Sequence, residues 1–225
     1  QIDLPSFAAA EAHFTSQGFH CRGNLKTGIN MYDNLIDLCT SCNSSVALGD
    51  KYQLIPSKTG TSVMTLDSSN TIGSVTYALS NKSTLLNNIK VKFMDDATDY
   101  KDNIKIVTDT TGNLLAQDNG NLLQREMYLA FTKTLATAEK LAIEKINQSR
   151  QSHMITLTAT VEAIKLQAGD IVSVTNETFG ITNKLFRVRQ TSIQPSSEID
   201  LTLQEYSDSI YAGSIILNAR TDDND

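Results

Sequence analysis

Two thiols stand at C-x-x-C spacing in Cys39-Thr40-Ser41-Cys42, and His20-Cys21 lies upstream of them. Four such ligands are a zinc set, and a C-x-x-C pair is also the form of a dithiol redox centre. The local pattern argues against both. Cys39 and Cys42 continue an apolar stripe, Met31, Leu35 and Leu38, on a helix expected to start at Asn30 and stop at Asn43. They would sit at its C-terminal end, where the helix dipole raises thiol pKa values, whereas a redox pair wants a helix N-terminus. Packing in the core is the reading for all three cysteines, and an odd count excludes a disulfide framework.

Other chemistry-bearing residues give similar results. His13 and His153 are single histidines at the edges of expected elements, read as solvated or capping. Lys58-Thr59-Gly60 matches one element of a penicillin-binding signature whose companions are missing, and is read as linker. Asp95-Asp96-Ala97-Thr98-Asp99-Tyr100-Lys101-Asp102 lacks EF-hand spacing and is read as a solvated loop. Asn43, Asn81, Asn147 and Asn176 open Asn-x-Ser/Thr triplets without a secretion signal. No G-x-S-x-G, H-E-x-x-H, Walker or G-x-G-x-x-G pattern occurs. The sequence therefore assigns no catalytic, cofactor-binding or metal-ligating residue.

The elements around these residues form two parts. In 1–60, Asp3 and Pro5 open a helix with Phe7, Ala10 and Phe14 on one face and Gly18 as its stop. Phe19 to Leu25 is expected as a short strand, followed by the Asn30 helix and a hairpin about Gly49-Asp50. The polar run 57–62 is the expected boundary. In 61–215 the period falls to two: Val75, Tyr77, Leu79; Ile89, Val91, Phe93; Ile104, Ile106; Ile155, Leu157, Ala159, Val161; Phe186, Val188; Ile199, Leu201, Leu203. One long helix, Thr134 to Arg150, interrupts them, with Leu135, Ala138, Leu141, Ala142 and Ile146 inward and Glu139, Lys140, Glu144 and Lys145 outward. In Gln167-Ala168-Gly169-Asp170 a turn launches a strand with Val172 and Val174 towards the core. Residues 216–225 are read as an acidic linker. The fold class is α+β, with mainly antiparallel, barrel-like sheets and a few packing helices.

A net charge of −6 and a pI near 5.1 disfavour a phosphate-neutralising surface, so no specific nucleic-acid binding is expected. No apolar run reaches the ~20 residues of a membrane span. Without Trp and with 6% aromatic residues, a glycan-stacking platform is disfavoured. The beginning at Gln1 reads as a piece of a longer polypeptide.

The order of motifs carries more than any one of them. The Ala138 to Ala142 helix precedes the Thr-alternating strand, then Leu166-Gln167-Ala168-Gly169-Asp170-Ile171-Val172-Ser173-Val174 and Phe179-Gly180. Leu185-Phe186-Arg187-Val188 follows, then Ile199 to Tyr206, closing at Tyr211. This resembles the hub region of tail-tip proteins from long-tailed bacteriophages, the family of tip attachment protein J and the putative phage tail proteins of gene-transfer agents. Asn30, Asp33, Ile36 and Cys39 fall in the register of that family's helix, whereas Asn113 to Phe131 matches none of its pattern. The resemblance implies a non-enzymatic virion component made in the host bacterial cytoplasm. It also implies two hub subdomains, a homotrimeric ring continuing the tail tube towards a central fibre, other tail-tip and tube proteins as partners, and DNA passing through the lumen. The alternatives are an envelope-degrading tail enzyme, lysozyme- or peptidase-like, and a receptor- or glycan-binding module.

Overall fold

The computed structural model describes residues 2–48, 51–79, 82–109 and 113–215. They form two compact units that share the chain in alternating segments. The first takes residues 1–58, 85–148 and 211–225, and the second 59–84 and 149–210. These segments divide the chain differently from the consecutive parts 1–60 and 61–215 expected from sequence. The strands after residue 85 and the long helix build the core that the N-terminal segment shares. The expected linker 216–225 and hairpin turn 49–50 lie outside the described residues.

In the first unit, α1 spans Leu4–Gln17 and ends where Gly18 adopts φ 71, the left-handed geometry that a glycine cap supplies cheaply. α2 spans Met31–Ser41, and the Asn30 side chain accepts from Tyr32 N–H at 3.1 Å. β1 (Ser44–Leu48) and β2 (Tyr52–Pro56) pair as the expected antiparallel hairpin. Phe19 to Leu25 is not a strand; it runs as a loop fixed at a few points. Phe19 is buried, Arg22 N–H donates to Phe131 O at 2.8 Å, and Gly23 lies against the Phe131 ring. A Cβ on Gly23 would meet that ring at 2.8 Å, so glycine is needed for this approach.

The α2 stripe is also rotated from the expected one. Met31 is exposed, while Asn34 is buried on α2. Asn34 Oδ1 accepts from Lys26 N–H at 3.0 Å and its Nδ2 donates to Lys26 O at 3.0 Å, replacing a strand's bonds with one amide.

A three-stranded sheet completes this unit: β5 (Asn88–Asp95) between β6 (Lys101–Thr108) and β7 (Gln124–Leu129). β5 pairs antiparallel with β6 and parallel with β7. Ile89, Val91 and Phe93 join Leu114, Leu129 and the α4 helix (Leu135–Ser149) in one core. Ile104 and Ile106 are exposed, contrary to the alternation read from sequence. The register explains it: Lys92 faces Ile104 and Lys90 faces Ile106, so the isoleucines share the lysines' outer side. Residues 113–131, unplaced by motif, form α3 (Asn113–Gln117), a turn and β7. Buried Asn87 organises the turn, donating to Asp118 and to Asn121 O at 2.8 Å each and accepting from Leu123 N–H at 2.9 Å.

Glu144 is a further departure. It is 3% exposed on α4, where solvent was expected. Asn43, in the left-handed region at φ 47 beyond α2, donates to Glu144 Oε2 at 2.6 Å. Burial raises the carboxyl's pKa, with the Asn43 hydrogen bond and then Lys140 opposing it.

The second unit is a six-stranded sheet in the order β3 (Ser62–Leu66), β9 (Ile171–Asn176), β10 (Ile181–Ile193), β11 (Ile199–Glu205), β8 (His153–Ala159), β4 (Thr71–Leu79). Every pair is antiparallel except β3 with β9. Leu157, Val172, Phe186, Val188, Leu201 and Leu203 are its core. Ile171 and Ser173 are buried as well, so β9 is covered on both faces. β8 ends before Val161, which is exposed in a 3-10 turn.

β3 and β4 are the two outermost strands, yet only a turn joins them, with Thr71 N–H donating to Asp67 O at 3.0 Å. In a flat six-stranded sheet those strands would lie roughly 24 Å apart. The sheet therefore curls until its edges meet at that turn, and the core fills the inside. It remains open, because β3 and β4 share no ladder. This is the form that "barrel-like" takes here.

Candidate functional site

The three cysteines come together, but not as a common core set. Cys39 and Cys42 are buried, whereas Cys21 is exposed. Cys42 Sγ lies 3.2 Å from Leu38 O and 3.1 Å from Ser44 Oγ. The nearby Cys42 side chain holds the Cys21 pKa below the ordinary thiol range, against burial and Cys39. Cys21 in turn pushes the Cys42 thiol far up, with burial adding to the effect. His20 is exposed beside them. Among the described residues no three His, Cys, Asp or Glu side chains are placed to hold one metal ion.

The remaining sequence candidates resolve into structural roles. His13 is half-buried on α1, and burial, then Lys58 and Lys140, lower its pKa. Lys58-Thr59-Gly60 is a crossing between units, where Gly60 N–H donates to the Tyr206 hydroxyl at 3.2 Å. Asp95 is buried in the acidic connection; it accepts from Ala97 N–H at 3.1 Å and Asn103 Nδ2 at 2.9 Å. Asn147 is buried and donates to Ser214 O at 2.8 Å; Asn176 accepts from Phe179 N–H at 3.3 Å. Asn81 lies outside the described residues. Gly169 has φ 99, and its N–H donates to Val188 O at 2.8 Å. Asp170 Oδ2 accepts from Gln167 N–H at 2.8 Å. That turn sets strand register.

His153 sits in a cluster that sequence did not assemble. Its Nδ1 is hydrogen-bonded to the Tyr77 hydroxyl, and the two rings stack at 5.2 Å. Glu205 Oε2 accepts from His153 N–H at 3.2 Å and lies 3.8 Å from Nε2. Lys184 Nζ holds the other Glu205 oxygen at 2.9 Å. Tyr, His and Glu together could relay a proton. Here Tyr77 also stacks on Phe179 at 5.3 Å, a residue just beyond β9. β9 and β4 share no ladder, so the stack links the β9 end to β4 where no backbone pairing does. A clasp accounts for these contacts.

What the structure leaves open are strand edges. Among the described residues β6 and β7 pair only with β5, and β3 and β4 each have one ladder. Ile104 is 51% exposed and Ile106 55% on β6, with Tyr128 exposed on β7. Val63 on β3 and Leu79 on β4 are exposed too. Such edges are liabilities for a monomer and templates for assembly. No helix among the described residues is long and apolar enough to cross a membrane.

A family model described as putative phage tail protein matches residues 30–191, well over half of the chain. The baseplate hub protein pb3 of Escherichia phage T5 is 22% identical over 193 residues, covering 84% of this chain and 20% of that protein. A chain in the virion of a native gene transfer agent particle superposes with a TM-score of 0.64 at 11% identity, over 80% of this chain and 40% of that one. The 43 kDa tail protein of prophage MuSo2 from Shewanella oneidensis gives 0.52 at 13% identity, over 91% and 65%. The two solved structures share the fold, and the chain spans about a fifth of the length of the T5 protein. The chain belongs to the family of putative phage tail proteins.

Proposed function

We propose that this tail protein is a structural part of a baseplate or tail-tip hub, working as a homotrimeric ring that continues the tail tube and lets DNA pass. The observation that carries the proposal is the set of open strand edges with exposed apolar residues, Ile104 and Ile106 foremost. An edge strand of this kind is stabilised when a neighbouring subunit covers it. Similarity to a protein named as a baseplate hub supports placing that assembly at the tail tip. The net charge of −6 suits a lumen that nucleic acid traverses without sticking. The reading assigns the chain no catalysis.

Light scattering on the purified protein tests the ring. A trimer is expected, and Ile106→Lys should shift it towards monomer while leaving the circular dichroism of the monomer unchanged. A monomer at every concentration, or a dimer, contradicts the ring. Gel-shift with duplex DNA at physiological salt should show no complex; a salt-sensitive complex would contradict the lumen reading. Turnover of peptidoglycan or capsule by the purified chain would contradict the absence of catalysis.

A further inference from the structure

β6 and α4 advance side by side in the same direction. Lys105 Nζ meets Glu139 Oε1 at 2.9 Å, and further along both elements Val107 and Ile143 border one groove. The two steps match, since four helical residues rise about 6 Å and two strand residues about 6.6 Å. The groove holds about 550 Å³ and lies along the edge of β6 that faces away from β5. Alternate N–H and C=O groups of β6 point to that side, and among the described residues no ladder takes them.

The chain itself enters this groove near its C-terminal end. Gly213, Ser214 and Ile215 line it together with Val107, Thr108 and Asp109. Asn147, one helical turn beyond Ile143, donates to Ser214 O at 2.8 Å. That bond sets the entry at the Asp109 end, and Ile215 already packs against the core of the unit. The sequence continues Ile216-Leu217-Asn218-Ala219-Arg220, and its acidic residues come only at Asp222, Asp223 and Asp225. Five residues reach about 16 Å as a strand, enough to follow β6 from Ile106 back to Asp102.

From this geometry we infer that residues 216–220 of the same chain add to β6 as an antiparallel fourth strand. Ile216 lies opposite Ile106, Asn218 opposite Ile104 and Arg220 opposite Asp102. This register continues the one in which Ile215 comes beside Val107, both of them packed on the same core. It sends Leu217 and Ala219 to the α4 side of the sheet and leaves Ile216 beside the exposed Ile106 on the outer side. Arg220 and Asp102 form a cross-strand pair of opposite charge. Past Arg220 the acidic residues would meet Asp96 and Asp99, so like charge ends the pairing there. The occupant is the chain's own segment because Ile215 tethers it in the groove, at an effective concentration that a free strand does not match. Ile104 and Ile106 keep their outer side, so the apolar surface assigned above to a neighbouring subunit gains Ile216 and is not used up.

Nuclear magnetic resonance on the full chain tests the strand. Backbone contacts of Ile216 with Ile106 and of Asn218 with Ile104 are expected, unchanged on dilution. The β6 amides that point away from β5 should exchange ~tenfold faster in a chain ending at Ile215, with the β5 amides unaffected. Leu217→Asp, which puts a charge on the α4 side, should speed the same amides, and Asn218→Ser should not. Absence of the backbone contacts, or equal exchange with and without residues 216–225, would overturn the inference. Contacts found only between differently labelled copies would overturn it too, because they give the groove to a second copy. A trimer without these contacts would refute the fourth strand and leave the ring; a monomer that shows them would do the reverse.

Discussion

The two units bury their apolar residues by different means. The second wraps one sheet around its own core, so each strand of that core presents alternate residues to a common interior. The first assembles a core from Phe19, Cys42, the strands after residue 85 and α4, segments far apart in sequence. Its N-terminal helix leans on that core lightly: Ala10 is the one fully buried residue of α1, and Phe7 and Phe14 are half-buried. Regular alternation carries through the strands that share one curled sheet, and in the first unit it holds on β5, where Ile89, Val91 and Phe93 lie inside. Where a unit is stitched from distant pieces, what is inside depends on partners that local sequence does not name.

Truncation in each core should show the widest gap. Phe186→Ala, at a fully buried site of the curled sheet, is expected to cost about 4 kcal/mol, and Phe14→Ala on α1 only about 1 kcal/mol. Denaturant unfolding measures both; equal losses would erase the distinction. Gly169→Val should follow at about 2 kcal/mol, because a β-branched residue at φ 99 is strained while the turn's bonds to Val188 must be kept. An unchanged melting temperature would show that the turn does not set the register of β9. Tyr77→Phe, which keeps both ring stacks and deletes the hydroxyl's bond to His153, should cost about 1 kcal/mol. Hydrogen exchange should then quicken in β4 and β8 and not in β5; a uniform change would deny the clasp a local role.

The smallest effect belongs to the first unit and has the opposite sign. The folded pKa of Glu144 is raised, so the folded state holds its proton more tightly than the unfolded chain does. The buried charge is therefore a cost above the folded pKa, and it fades as pH falls through that value. It is gone below the unfolded value of about 4.3. Glu144→Gln can still accept from Asn43. It should raise the melting temperature slightly near neutral pH and leave it unchanged in acid. A loss of stability at neutral pH would mean that the carboxylate charge itself is favourable there.

The same contrast explains what sequence made legible. Ile155, Leu157, Leu201 and Leu203 were readable as core because their own strands carry the period and the sheet supplies the other side. The caps at Asn30 and Gly18 were readable because their chemistry is local. Glu144 was not, because its hydrogen-bond partner Asn43 is 101 residues away. Nor was Asn34, whose burial depends on the Lys26 backbone opposite. β6 carries a correct period with the wrong face assigned, since pairing with β5 decides which side Ile104 and Ile106 occupy. His153 gained its partners from β4 and β11, on either side of its own strand. The open edges left no signal, as an unpaired strand and a paired one share a composition.

The short turn between β3 and β4 has a consequence for the order of synthesis. Those strands leave the ribosome together, yet neither pairs with the other. β4 waits for β8 at 153–159, β3 waits for β9 at 171–176, and the whole 85–148 stretch of the other unit is made in between. A nascent chain that ends before residue 150 therefore carries two strands with no ladder to join, exposed to any other chain with a bare edge. The second unit closes only when its last strands arrive. Chains stalled in that interval should be the ones that chaperones retain, and the sensitive segment is 62–79 rather than the newest residues.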